Sequence, residues 1–327
     1  MKFLRKYWIP TSIIAALIVI ELALRLVFGL GNPVLIQADA DTGYRVRPNQ
    51  TVFRFGKKAE YNQYSQRSAT ITANKPQGTL RILMIGDSIL NGGNLADQAQ
   101  TISELLKAQL AASRQPTEVL NASTASWAIE NRLGYLRKFG TFESDVVIVQ
   151  IGTDDLTQPT STSAGVEHNP AYPTQAPLLA IQEVLTRYAW PKLASLIGFD
   201  FPTPLALLPG TEELNRQFQQ NLQSLTKIVT LVRAKKMPIF ILFTPNLNNL
   251  MPTFNVPEYK PEFLQLLNSL QVRVIDAHNA WSSLPKKTVE AFFRSDGVHL
   301  SVPGNEAIAN LLFEKLCIER QLPACSR

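Results

Sequence analysis

Two short stretches at opposite ends of the chain hold the residue types of a nucleophilic site. Gly86-Asp87-Ser88-Ile89 follows an apolar run, and Asp296-Gly297-Val298-His299 precedes the last helical pattern. A serine hydroxyl attacks a carbonyl when a neutral imidazole takes its proton, and the imidazole needs a carboxylate to fix its tautomer and stabilise the cation. Ser88, His299 and Asp296 supply those three groups. Asp296 and His299 stand three residues apart, so one turn brings them together. The glycine before the serine permits a tight turn, and a serine at the head of a helix lies among free backbone N–H groups suited to a developing oxyanion. Each stretch alone is weak, because serines that only cap helices are commoner and an isolated D-x-x-H is frequent. Together, and in this order, they point to acyl chemistry at Ser88.

The elements that must position these groups read as an α/β domain. Apolar runs of strand length fall at 81–85, 118–120, 145–151, 238–243 and 272–275. They are continuous rather than alternating, as expected for parallel strands covered on both faces. Helical patterns separate them, most clearly over 212–236, where Leu214, Phe218, Leu222, Leu225, Val229 and Val232 recur at spacings of four and three behind the N-cap candidate Thr211. Strand and helix in alternation predict helices on both faces of one sheet. Ligands bind such sheets beyond the carboxyl ends of the strands, which is where Gly86-Asp87-Ser88 falls.

With Gly86-Asp87-Ser88 and Asp296-Gly297-Val298-His299 in place, the chain resembles the GDSL/SGNH hydrolase family over about residues 79–316. Val119-Leu120-Asn121-Ala122-Ser123 is similar to the family's second block and Gly152-Thr153-Asp154-Asp155 to its third. The resemblance implies a three-layer α/β/α sandwich with a flavodoxin-like parallel sheet of about five strands in the order 2-1-3-4-5. It implies acyl hydrolysis or transfer without metal or organic cofactor, with Ser88 as nucleophile, His299 as general base, Asp296 as its orienting carboxylate and the N–H of Ser88 in the oxyanion hole. Two positions depart from the family pattern. Ser126 stands where a glycine usually offers its N–H, a group that survives the change. Asp154 stands where an asparagine usually offers its side-chain amide. An ionised carboxylate repels an oxyanion; a protonated one donates to it; a third reading makes Asp154 a helix N-cap. Trp127, next to Ser126, is read either as a substrate-binding wall or as core.

The N-terminus reads as a membrane element. Lys2, Arg5 and Lys6 precede an uncharged run from Tyr7 to Ile20, and apolar character continues to Leu30 past Glu21 and Arg25. Residues 7–30 as helix reach about 36 Å, enough to cross a bilayer. The positive flank predicts the N-terminus inside and the domain outside the cytoplasm. A retained single-pass anchor over 1–30 is the expectation, with a cleaved signal peptide and an amphipathic soluble helix as the alternatives. Residues 31–78 read as a juxtamembrane connecting segment with one hairpin, and 79–327 as the catalytic domain. The net charge of +6 is uneven: residues 1–80 hold 11 Lys/Arg against 4 Asp/Glu, and the remainder 21 against 22. That basicity suits an anionic lipid surface and argues against a nucleic-acid binder.

Residues 156–210 interrupt the pattern with eight prolines, and 178–197 within them are helix-compatible and strongly apolar. An extra helical layer and a lid or acyl-chain wall both fit. Cys317 and Cys325 are too few for a zinc site and, outside the cytoplasm, suit a disulfide. His168 reads as solvated, and His278 as structural or at the edge of the cleft. A receiver or flavodoxin is disfavoured, since no Ser/Thr-rich phosphate loop follows the first strand. Three functions stand: an acyl-ester hydrolase, an O-acyltransferase on an envelope glycan or lipid, and a non-catalytic envelope protein of the same fold.

Overall fold

The computed structural model describes residues 2–111, 115–196, 198 and 211–318. A single long helix, α1 (Lys2–Phe28), leads into two antiparallel hairpins, β1 (Ile36–Asp39) with β2 (Gly43–Val46) and β3 (Gln50–Arg54) with β4 (Lys57–Tyr61). These hairpins were not legible as such: the segment expected to connect, with one hairpin, folds onto the domain. Ile36, Tyr44, Val46, Val52, Ala59 and Tyr61 are buried in the same apolar cluster as the sheet.

The sheet comprises β5 (Leu80–Gly86), β6 (Thr117–Ser123), β7 (Val146–Gly152), β8 (Ile239–Thr244) and β9 (Arg273–Asp276), paired in the order β6-β5-β7-β8-β9 with every neighbour parallel. This is the expected five-strand order. Every residue of β5, β7 and β8 is buried, so their sequences are apolar without alternation. β6 runs beyond its apolar stretch because its polar residues are satisfied: Asn121 Nδ2 donates to Leu90 O at 2.9 Å and to Ser103 Oγ at 3.0 Å. Gly86 pairs with Ser123 and Gly152 with Thr244. Ile85 is level with Val149, so β7 and β8 end two residues beyond β5 and β6, and the turns that leave the four strands open side by side.

Helices cover both faces. α2 (Ser88–Asn91) and α3 (Ile102–Ala111) belong to one face, where they share an apolar cluster with the later α9 (Ala277–Trp281), α10 (Lys286–Phe292) and α11 (Val302–Ile318). The other face is covered by α4 (Ile129–Phe139), α7 (Thr211–Ala234) and α8 (Lys260–Ser269) together with the hairpins. The predicted stripe of α7 is the one it buries, through Phe218, Leu222, Leu225, Val229 and Val232. In the proline-rich insertion, α5 (Ala180–Glu183), a π-helical turn over Val184–Ala189 and α6 (Trp190–Leu196) make one helical run. Cys317 is disulfide-bonded; Cys325, its expected partner, lies outside the described residues.

Among the described residues, one helix is long and apolar enough to cross a membrane, over Thr11–Phe28, with none of that stretch buried in the protein. Its last turns are built into the domain. Glu21 Oε1 accepts from Ala180 N at 2.7 Å and Oε2 from Ile181 N at 3.0 Å. Arg25 donates to Glu21 and, through Nη2, to Leu178 O at 2.6 Å. Phe28 O accepts from Phe55 N at 2.9 Å. Just beyond, the buried Glu183 carboxylate takes Gly31 N at 2.6 Å and pairs with the buried Arg54.

Candidate active site

Ser88 opens α2 directly beyond the carboxyl end of β5. The turn is held by Asp87, whose Oδ1 accepts from Ile89 N at 2.7 Å, and it ends at Gly92 in the left-handed region that a C-cap favours. Gly86 is required for packing rather than for its dihedrals: a Cβ there would stand 2.4 Å from Gln150 Oε1. That buried amide accepts from Asp87 N at 3.1 Å and donates to Thr244 Oγ1 at 3.1 Å, so it has no freedom to retreat.

The loop between α10 and α11 brings the base to the serine. His299 Nε2 lies 3.0 Å from Ser88 Oγ, and His299 Nδ1 lies 2.9 Å from Asp296 Oδ2. Asp296 Oδ1 also accepts from Val298 N at 2.9 Å and His299 N at 2.8 Å. Burial pushes the Asp296 carboxyl up, but these hydrogen bonds outweigh it and hold it below the usual carboxylate range. It therefore stays ionised beside the imidazole. Leu247 N donates to Gly297 O at 2.7 Å and ties this loop to the one after β8.

A cleft of about 80 Å³ surrounds the serine, lined among others by Ser126, Asp154, Gln158, Asn246 and Val298. Ser126 has φ 60°, a left-handed conformation that glycine adopts without strain. Its position thus explains why a glycine serves as well there. Asp154 lies within a 3-10 turn (Asp154–Leu156) and is not an N-cap. Its Oδ1 accepts from Asn246 Nδ2 at 2.8 Å. Burial, with the Asp155 charge adding to it, outweighs the Asn246 bond and holds the Asp154 carboxyl above the usual carboxylate range.

Below the cleft a fully buried guanidinium joins the turns. Arg132 donates from Nη1 to Gln150 O at 2.6 Å and from Nη2 to Trp127 O at 2.9 Å. Nη2 also lies 2.8 Å from Asp155 Oδ1 and 3.6 Å from Asp87 Oδ2. Asp155 in turn accepts from Gly152 N at 2.7 Å. Burial pushes the Asp155 carboxyl up, Arg132 pulls it down and the Asp87 charge pushes it up again. One cation thereby links the turns that carry Ser88, Ser126 and Asp154.

The structure brings Ser88, His299, Asp296, Ser126 and Asp154 together, and it places Trp127 elsewhere. Trp127 is 1% exposed, donates from Nε1 to Tyr44 O at 2.7 Å and packs on Tyr135, so it is core and not a wall of the cleft. His278 is buried one layer away. Its Nδ1 faces Lys260 Nζ at 2.8 Å and its Nε2 faces Asn255 O at 3.0 Å, which supports the loop after β8. Burial and then Lys260 lower its pKa, leaving it neutral. His168 is exposed on a larger cavity of 530 Å³ between Pro33 and residues 167–187, which contains neither the serine nor His299. No residue of 178–196 lines the serine cleft.

Asn246 and Arg132 escaped sequence reasoning. Asn246 follows β8 as Thr244-Pro245-Asn246, a position that the strand-end rule reaches when applied to the fourth strand. Nothing in the sequence around Arg132 distinguishes it from a surface arginine on α4.

The model of the GDSL-like Lipase/Acylhydrolase family matches residues 84–307. No curated protein sequence matches the chain. Among solved structures, the chain is similar to TesA (15% identity, TM-score 0.44, 74% of this chain and 99% of that one). It is similar to the acetyl xylan esterase AlAXEase (12%, 0.47, 72% and 100%) and to the lipase/acylhydrolase from Enterococcus faecalis (18%, 0.41, 72% and 95%).

Proposed function

Because the chain belongs to the GDSL-like lipase/acylhydrolase family, we propose that it hydrolyses an acyl ester through Ser88, His299 and Asp296, outside the cytoplasm and held to the membrane by α1. The observation that carries this reading is the unbroken relay from Ser88 Oγ through His299 to Asp296, at 3.0 Å and 2.9 Å. In it the imidazole takes the serine proton as Oγ attacks the ester carbonyl. It returns that proton to the leaving alcohol, and the acyl-enzyme is then opened by water activated in the same way.

The carbonyl oxygen gains charge in each step. The N–H of Ser88 and the N–H of Ser126, both on the cleft, are two donors. Asn246 supplies the third in place of the asparagine that the family carries where this chain has Asp154. A primary amide has two N–H donors. One is held by Asp154 Oδ1, which fixes the plane of the amide, and the other is left for the oxyanion. The acidic residue then orients a donor from the next strand end instead of donating itself.

The contacts of α1 support its retention. Cleavage after the apolar run would remove Glu21 and Arg25, and with them the partners of Ala180 N, Ile181 N and Leu178 O. Reaction of the detergent-solubilised full chain with a fluorophosphonate probe tests the nucleophile. Wild type is labelled, and Ser88→Ala is not; labelling that persists in Ser88→Ala overturns the assignment.

A further inference from the structure

We infer that the insertion helix and the β3–β4 tip form a platform that lies in the lipid bilayer beside α1. This rests on the reading of α1 as a membrane anchor, and it assigns a partner to a surface that the catalytic reading leaves unused. The apolar side chains here are turned outward. Leu196 is 82% exposed and Phe53 62%, and Phe55, Leu185, Trp190 and Leu193 are also exposed. Contiguous exposed apolar surface of this kind marks a binding face.

The surface is continuous with α1. The tip is joined to the end of that helix by Phe55 N to Phe28 O, and Phe55 packs edge-on against Tyr188 of the insertion, centroids 6.5 Å apart. The start of α5 is capped by Glu21 of α1 itself. Below the platform, Arg54 from the tip and Glu183 from the insertion form a buried ion pair, so tip and insertion form one body.

The helix geometry sets the depth. From Tyr7 to Leu24 the helix rises about 27 Å, close to the thickness of the hydrocarbon core, which puts Arg25 at the outer boundary. Glu21 then lies one turn deeper, by about 6 Å. That is the level to which it draws the first N–H groups of α5, and it is the depth at which interfacial helices rest. Leu178, whose carbonyl Arg25 holds, is 89% exposed at the same level. Trp190 and Tyr188 are the aromatic types that favour the interface, and exposed Lys192 has the long stem that reaches from it to water. A bilayer thus covers with one surface what a protein partner would have to match piece by piece around α1.

The test uses the full chain in vesicles of equal parts phosphatidylcholine and phosphatidylglycerol. Nitroxide labels are placed at Leu185→Cys, Leu193→Cys and Phe55→Cys, at Leu17→Cys within α1, and at Thr230→Cys on the exposed face of α7. Accessibility to oxygen and to a water-soluble nickel chelate is read by electron paramagnetic resonance. The platform requires labels at 185, 193 and 55 to shift toward oxygen relative to the label at 230, as the label at 17 does. Nickel access at 185 and 193 equal to that at 230, with 17 in lipid, overturns the platform and leaves the anchor standing. Loss of access to both reagents at 185 and 193, with immobilised spectra, means a protein covers them and also overturns it. Nickel access at 17 overturns the anchor and the platform together.

Discussion

Replacing Asn246 with alanine separates the oxyanion reading from a merely structural one. Asn246 is 8% exposed, so water has little room to take the place of its amide. Its Nδ2 is held 2.8 Å from Asp154 Oδ1 at the rim of the serine cleft. Removing one oxyanion donor typically costs about 2.7–4 kcal/mol, a factor of about 10²–10³ in kcat. The loss falls on kcat with KM little changed, because the bond strengthens as the oxyanion forms. The assay is hydrolysis of p-nitrophenyl acetate by the full chain in detergent, with a thermal melt to show that the variant is folded. Asp154→Asn in the Asn246→Ala background puts an amide where the family carries one and restores at least about tenfold of the rate, ~1.4 kcal/mol. A folded Asn246→Ala with kcat within about threefold of wild type, less than ~0.7 kcal/mol, refutes the assignment of this donor.

Three further outcomes follow from the geometry. Arg132→Met leaves the Asp155 and Asp87 carboxylates without their cation, so it destabilises the fold by about 3–5 kcal/mol in urea titration and lowers kcat as the turns lose register. Gly86→Ala drives Gln150 from its bonds to Asp87 N and Thr244 and lowers kcat, read in the same ester assay. Burial pushes the Asp39 carboxyl up, but Lys138 and Arg45 overcome this and bring it down to about 2. The folded value lies below the unfolded one, so the stabilisation is complete above about pH 4 and is lost as the pH falls through about 2. Asp39→Asn therefore costs about 1–2 kcal/mol at pH 7 after allowance for solvent screening, and urea titrations show the gap closing below about pH 3.

The parts of this molecule that the sequence displays are those whose burial leaves no chemical choice. β5, β7 and β8 are covered on both faces, so their runs are uniformly apolar and their parallel pairing is readable. The stripe of α7 is readable for the same reason. Asp296 and His299 are legible because they are three residues apart and need no tertiary contact to meet. What stayed hidden depends on partners distant in sequence. β1 to β4 are four or five residues long and bury only one or two residues each, too few for a pattern to stand out in the sequence. Arg132 is charged yet wholly buried, because its partners come from β7 and from the turns after β5, β6 and β7. Trp127 next to Ser126 suggested a wall of the cleft. The left-handed backbone at Ser126 turns the chain there, and the indole is spent on the core.

The fusion of the last turns of α1 with the insertion has a consequence for reach. A domain on a flexible leash samples a hemisphere and meets targets well away from its attachment point. Here the hydrogen bonds of Glu21, Arg25 and Phe28 remove that leash. In a bilayer the serine would stand at one altitude with one orientation, and an ester would be met only when lateral diffusion or its own tether carries it to that height.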